Sequence, residues 1–128
     1  MKTSVEDLKK LLSKRILVID GAMGTMIQRQ KKKKKDFRGE RFKDYPHDLK
    51  GNNDLLSITQ PEIIKGIHRA YFEYGADIIE TNTFNANGFS QADYHTEEFV
   101  YEINFEAANI AKEVADEFNK KFPDKPRF

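Results

Sequence analysis

Two short apolar runs that stop abruptly in polar residues constrain this chain more than anything else in it. The first is Ile16-Leu-Val-Ile19, closed by Asp20-Gly21; the second is Ile78-Ile79, closed by Glu80-Thr-Asn-Thr83. Brief, β-branched runs that are apolar on both faces suit strands covered on both sides in a parallel sheet. The best-signalled helix lies between them. Thr59 and Glu62 have capping-box spacing, Pro61 falls in the first turn, and Gly75 closes the stripe Ile63, Ile64, Ile67, Ala70, Tyr71 and Tyr74. Strand, helix and strand in this order predict a βαβ unit of an α/β protein, with the polar strand ends gathered on one rim.

The remaining segments fit around that unit. Ser4 to Arg15 reads as an amphipathic helix, with Ser4 as N-cap and Asp7 three residues on, so residues 1–15 form an amino-terminal helix. Gln28 to Asn53 is long, polar and aperiodic, and reads as a functional loop. Leu55, Leu56 and Ile58 form a packing patch or a minor strand, and a helical turn is expected around Phe89 to Tyr94. Thr96 caps a long helix whose apolar positions are Phe99, Ile103, Ala107, Ile110, Ala111, Val114 and Phe118. Pro123 and Pro126 end it, and a third strand is expected to begin at Arg127-Phe128. Two strands cannot close a sheet. Residues 16–128 therefore read as the opening βα units of a (β/α)8 TIM barrel, truncated before strand three.

Composition narrows the function. Lys+Arg 22 against Asp+Glu 21 leaves a net charge of +1, so no global field points to nucleic acid or to a membrane surface. The run Lys31 to Lys35 lacks interleaved aromatic residues and reads as a solvated loop. With no cysteine, neither disulfides nor thiolate metal sites can be built from this chain. His47, His68 and His95 lie too far apart for metal-ligand spacing on one helix, and His68 beside the apolar stripe reads as structural. No apolar run is long enough to span a bilayer, and the amino terminus lacks the apolar core of a secretory signal, so a cytoplasmic location is the expectation.

The expected site is the rim. Asp20, Gly21, Glu80, Thr81, Asn82 and Thr83 bring two carboxylates, hydroxyls, an amide and an accessible backbone to one pole. A zwitterionic amino acid suits this set, with carboxylates for its ammonium and amide and hydroxyl groups for its carboxylate. The same residues also allow plainer roles: Asp20-Gly21 as a turn, Glu80 as a strand-end carboxylate, Thr81 and Thr83 as ordinary strand formers.

Ordered blocks then carry a resemblance. Arg15 to Gln28, Asp36-Phe-Arg-Gly-Glu-Arg-Phe42, Leu49 to Glu62, Gly75 to Asn85 and Ser90-Gln-Ala-Asp-Tyr94 resemble the amino-terminal, homocysteine-binding module of cobalamin-dependent methionine synthases. The run Lys31 to Lys35 departs from that family's mixed stretch. The resemblance implies a methyltransferase of methionine biosynthesis, in which a zinc ion held by three cysteines on later strands takes the homocysteine sulfur. Methylcobalamin donates the methyl group from a separate module and is regenerated from methyltetrahydrofolate. It makes Asp20 the leading substrate residue, with Gly21 and Glu80 to Thr83 beside it, and assigns no catalytic or metal-ligating residue to this chain. The expected partners are homocysteine, the rest of the barrel and the folate- and cobalamin-binding modules. Zinc and cobalamin belong to the full-length enzyme and neither is expected on this segment alone, which is expected to be inactive. The competing expectations are a cobalamin-independent homocysteine S-methyltransferase, using betaine or S-methylmethionine, and a non-catalytic piece that needs the rest of its barrel to fold. Lys50-Gly-Asn-Asn53 and Glu80-Thr-Asn-Thr-Phe84 favour the cobalamin-dependent branch.

Overall fold

The apolar periodicity of the two longest helices builds the centre of the protein. In the computed structural model, which describes residues 3–128, these helices are α5 (Pro61–Glu73) and α7 (Val100–Lys121). Around them lie α1 (Val5–Leu12), α2 (Met23–Arg29), α3 (Lys34–Arg38), α4 (Leu56–Thr59) and α6 (Gly88–Ala92), and a 3-10 turn, Glu97–Phe99, leads into α7. Ile103, Ala107, Ile110, Ala111, Val114 and Phe118 of α7 are all buried, as their spacing predicts. Facing them, α5 buries Ile64, Ile67 and Phe72. One apolar cluster joins Ile27, Phe37, Phe42, Leu49, Leu55 and Leu56 to both long helices. A second gathers Phe72, Ala76, Ile79, Val114 and Phe118, and Tyr71 packs against both.

Local chemistry decides several boundaries. At α1 the Asp7 N–H donates to Ser4 Oγ at 3.2 Å and the Ser4 N–H donates to Asp7 Oδ2 at 2.8 Å, the reciprocal cap the sequence predicts. Gly75 ends α5 with φ +105°, a conformation that a Cβ would strain. The expected Thr59–Glu62 capping box does not form. Leu55 to Ile58 belong to a helical turn rather than a strand, so Thr59 ends α4 and its hydroxyl donates back to the Leu55 carbonyl at 3.4 Å, leaving Gln60 as the N-cap of α5. Tyr74, expected on the buried stripe, is 94% exposed because it lies beyond the last turn of α5. Thr96 does not cap α7; it is buried and hydrogen bonds to Gln91, while the 3-10 turn carries the chain into the helix. The segment from Gln28 to Asn53 is more than a loop, since it completes α2, forms α3 and sinks Phe37, Phe42 and Leu49 into the core.

The expected sheet is represented among the described residues by one isolated bridge. Ile19 and Ile78 pair in parallel: the Ile78 N–H donates to the Val18 carbonyl at 3.1 Å, and the Asp20 N–H to the Ile78 carbonyl at 2.9 Å. On the other flank of Ile78, the Phe128 N–H donates to the Asp77 carbonyl and the Ile79 N–H to the Phe128 carbonyl, each at 2.9 Å. The same alternation therefore seats Phe128 where the sequence expects a third strand to start. No longer strand is formed among the described residues, whose regular structure is otherwise helical. The α/β sheet expected from sequence is thus seen as contact points rather than ladders, because each run contributes only one pairing residue.

An ion cluster ties down the opposite end of these segments. Asp77, nearly buried, accepts from Arg15 at 2.7 and 2.9 Å and from the Val18 N–H at 2.9 Å, and Arg127 lies 3.5 Å away. The Arg15 guanidinium above all, helped by the Val18 N–H, holds the Asp77 carboxyl below the usual carboxylate range.

Candidate functional site

Parallel pairing of the two apolar runs brings their polar ends to the same side. Asp20 Oδ2 accepts from the Glu80 N–H at 3.2 Å, which fixes the two segments in register just beyond the Ile19–Ile78 bridge. A cleft of about 640 Å³ opens there. Asp20, Gly21, Glu80, Thr81 and Thr83 line it, together with Met23 and Phe84. Five of the six site residues expected from sequence therefore meet in one place.

Asn82 is the exception. It is buried, and its Nδ2 donates to the Asn53 carbonyl at 2.9 Å and to Ser57 Oγ at 3.2 Å, away from the cleft. Its amide anchors the rim instead of lining it. Thr81 and Thr83 project on the cleft side, with their hydroxyls 2.7 Å apart.

The rim rests on a buried polar frame. Asn52 and Gln91 exchange side-chain amide hydrogen bonds of 2.9 and 3.2 Å, and Thr96 Oγ1 donates to Gln91 Oε1 at 2.8 Å. Asp54, also buried, accepts the Asn85 N–H at 2.9 Å just beyond Phe84. Burial raises the Asp54 carboxyl above the usual carboxylate range. Each of these polar groups finds a partner within the protein.

On the other wall, Tyr71 Oη donates to the Ala22 carbonyl at 3.2 Å. A Cβ on Gly21 would sit 3.3 Å from that same oxygen. A side chain after Asp20 would therefore push the Tyr71 hydroxyl aside by a few tenths of an ångström. The Asp20 carboxyl is held above the usual carboxylate range, chiefly by burial and secondarily by the negative charge of Glu80, with the Glu80 N–H opposing both. Two carboxylates beside exposed hydroxyls give the cleft groups able to pair with a cation and to hydrogen bond around it.

Metal chemistry finds no ligands here. The sequence has no cysteine, and the described residues contain no group of three His, Cys, Asp or Glu side chains able to hold an ion. Among the described residues no helix is long and apolar enough to cross a membrane.

The family model described as homocysteine S-methyltransferase matches residues 17–128, which include every residue of this cleft. The chain belongs to the homocysteine S-methyltransferase family. Its fold is similar to that of the homocysteine methyltransferase MmuM from Escherichia coli in its metallated form, with a TM-score of 0.70 at 19% sequence identity. The similarity covers 94% of this chain and 38% of MmuM, so the chain spans well under half the length of that relative.

Sequence reasoning missed four contributors to this family member's cleft. Ala22, Met23 and Phe84 line it, and Tyr71 shapes it from the helix face to which its spacing had assigned it. Phe84 carried a signal: it is a large apolar residue closing a polar run, and it stands 95% exposed. Asn82 turns inward at a bend in which the Thr83 N–H donates to the Thr81 carbonyl at 2.9 Å.

Proposed function

We propose that this chain is the homocysteine-binding portion of a cobalamin-dependent methionine synthase, forming the first βα units of a (β/α)8 barrel. The observation that carries the reading is the meeting of Asp20 and Glu80 at one cleft, within a segment that the family match spans almost completely. Asp20, assisted by Glu80, receives the substrate ammonium; the hydroxyls of Thr81 and Thr83 and the backbone at Gly21 orient its carboxylate end. Asn82 holds the rim from behind. The cobalamin-dependent assignment is supported by the blocks at Lys50 to Asn53 and Glu80 to Phe84. The residues here do not fit a zinc site, so zinc, cobalamin and the folate-binding module belong to other parts of the protein, and the segment alone is inactive in methyl transfer. A cytoplasmic location goes with this reading. Folate- and cobalamin-binding modules encoded beyond Phe128 would separate it from a cobalamin-independent methyltransferase.

Calorimetric titration with homocysteine, on this chain and on the completed barrel, tests the substrate assignment. Replacing Asp20 with Asn removes a charge-assisted contact and is expected to weaken binding by about ten- to a hundredfold. Affinity should also rise with pH through the raised Asp20 pKa and fall away below it, because only the carboxylate pairs with an ammonium. Unchanged affinity in Asp20→Asn, or a flat acid limb, overturns the assignment.

A further inference from the structure

A second cleft, of about 350 Å³, lies where α2 ends, α3 begins and the Lys50–Asn53 turn comes alongside. Lys31, Lys32 and Lys50 line it together with Asn53, and the core residues Ile27 and Phe37 form its apolar floor. Two lysines come from the low-complexity run and the third from a separate segment, so the fold concentrates charge that the sequence leaves spread out.

None of the three lysines has a carboxylate partner within ion-pair distance among the described residues. The acidic groups of these segments are already engaged. Asp48 pairs with Lys34 at 2.9 Å and accepts the Lys50 N–H at 3.0 Å. Asp36 accepts the Lys33 N–H at 2.7 Å, and Asp54 accepts from Asn85. Lys32 is also half-buried, which makes a missing counter-charge costly. Lys31 takes a left-handed backbone conformation, φ +49°, that L side chains rarely adopt, and this turn swings the run from α2 toward α3. Because the whole chain carries only +1, this positive charge is a local feature rather than a share of a general field.

We infer that this cleft binds a small phosphate polyanion. Three unpaired ammonium groups over an apolar floor complement two or more negative charges on one compact ligand. The recess is the size of a small-molecule site. Its aromatic residue, Phe37, is buried and offers no face on which bases could stack, so a nucleic-acid strand is the poorer fit.

The test is calorimetric titration of the 128-residue chain with inorganic tripolyphosphate at physiological salt. Saturable one-to-one binding is expected. Lys31→Ala, Lys32→Ala and Lys50→Ala should each weaken it about fivefold, and the triple variant about a hundredfold. Lys33→Ala with Lys35→Ala, which removes two charges outside the cleft, should change it less than about twofold. Asp20→Asn should leave it unchanged, which keeps this result separate from that of the homocysteine assignment. Absence of saturation at millimolar ligand overturns the inference, as does an equal loss in the Lys33/Lys35 variant. Tighter binding of a single-stranded RNA, lost with any of the five lysines, would replace it with a nucleic-acid surface.

Discussion

Lowering the pH from 6.5 to about 4 is expected to remove about 3 kcal/mol of folding stability through one side chain, His68. His68 sits on α5, is fully buried, and neither ring nitrogen has a hydrogen-bond partner. Burial alone pushes its pKa from 6.5 down to about 4. The unfolded chain therefore takes up a proton as the pH falls below 6.5, whereas the folded chain stays neutral until about 4. Through that window the unfolded state binds more protons, so stability declines with acidification and this contribution levels off below it. His68→Leu removes both the titration and an unsatisfied donor. The variant should be as stable as the parent or about 1 kcal/mol more stable at pH 7, with a flatter profile toward pH 4. Urea denaturation of both proteins at pH 7, 5.5 and 4.5 checks this, and two parallel declines would exclude His68 as the cause.

Breaking the Asp77 cluster is the other large effect. Asp77→Ala leaves Arg15, Arg127 and the Val18 N–H without their shared acceptor at the point where the two apolar runs pair. The cost is expected to be about 3 kcal/mol, near the low end for a broken buried pair because Arg15 is itself half-exposed. For a domain of this size that is roughly 10 °C in melting temperature. Asp77→Asn keeps an acceptor for the Val18 N–H and should lose less, separating the hydrogen bond from the charge. The pH signature differs from that of His68. With its folded pKa depressed, Asp77 contributes stability above the ordinary carboxylate range and loses it as pH falls through the lowered value. A melting temperature in Asp77→Ala within about 2 °C of the parent would dismiss the cluster as a structural anchor.

The parts of the fold that were legible in sequence are those with a sustained period or a backbone requirement. The α7 stripe from Ile103 to Phe118 repeats over many turns, and Gly75 occupies a conformation that favours glycine, so both could be read directly. Helices α2, α3 and α4 are seven, five and four residues long, too short to show a period. They are stabilised by the burial of Ile27, Phe37 and Leu56, which no local pattern reveals. Thr59 and Thr96 looked like caps because cap spacing is local, yet tertiary packing gave their hydroxyls to the Leu55 carbonyl and to Gln91. At the site, the pole shared by Asp20 and Glu80 followed from strand direction alone. The contributions of Tyr71 and Phe84 depend on how α5 and the rim meet in space, which is tertiary information.

Behind the cleft, Asn52, Gln91 and Thr96 form one amide and hydroxyl set and Asn82 with Ser57 another, neither holding a titratable group, whereas Asp54 beside them is one. Acid can therefore act at the cleft-facing Asp20 and at Asp54 behind it, while the amide and hydroxyl contacts keep their protonation. A loss of affinity on acidification reports electrostatics at Asp20 where native near-ultraviolet dichroism persists after affinity has gone, and reports the destabilisation carried by His68, or protonation of Asp54, where the two signals are lost together.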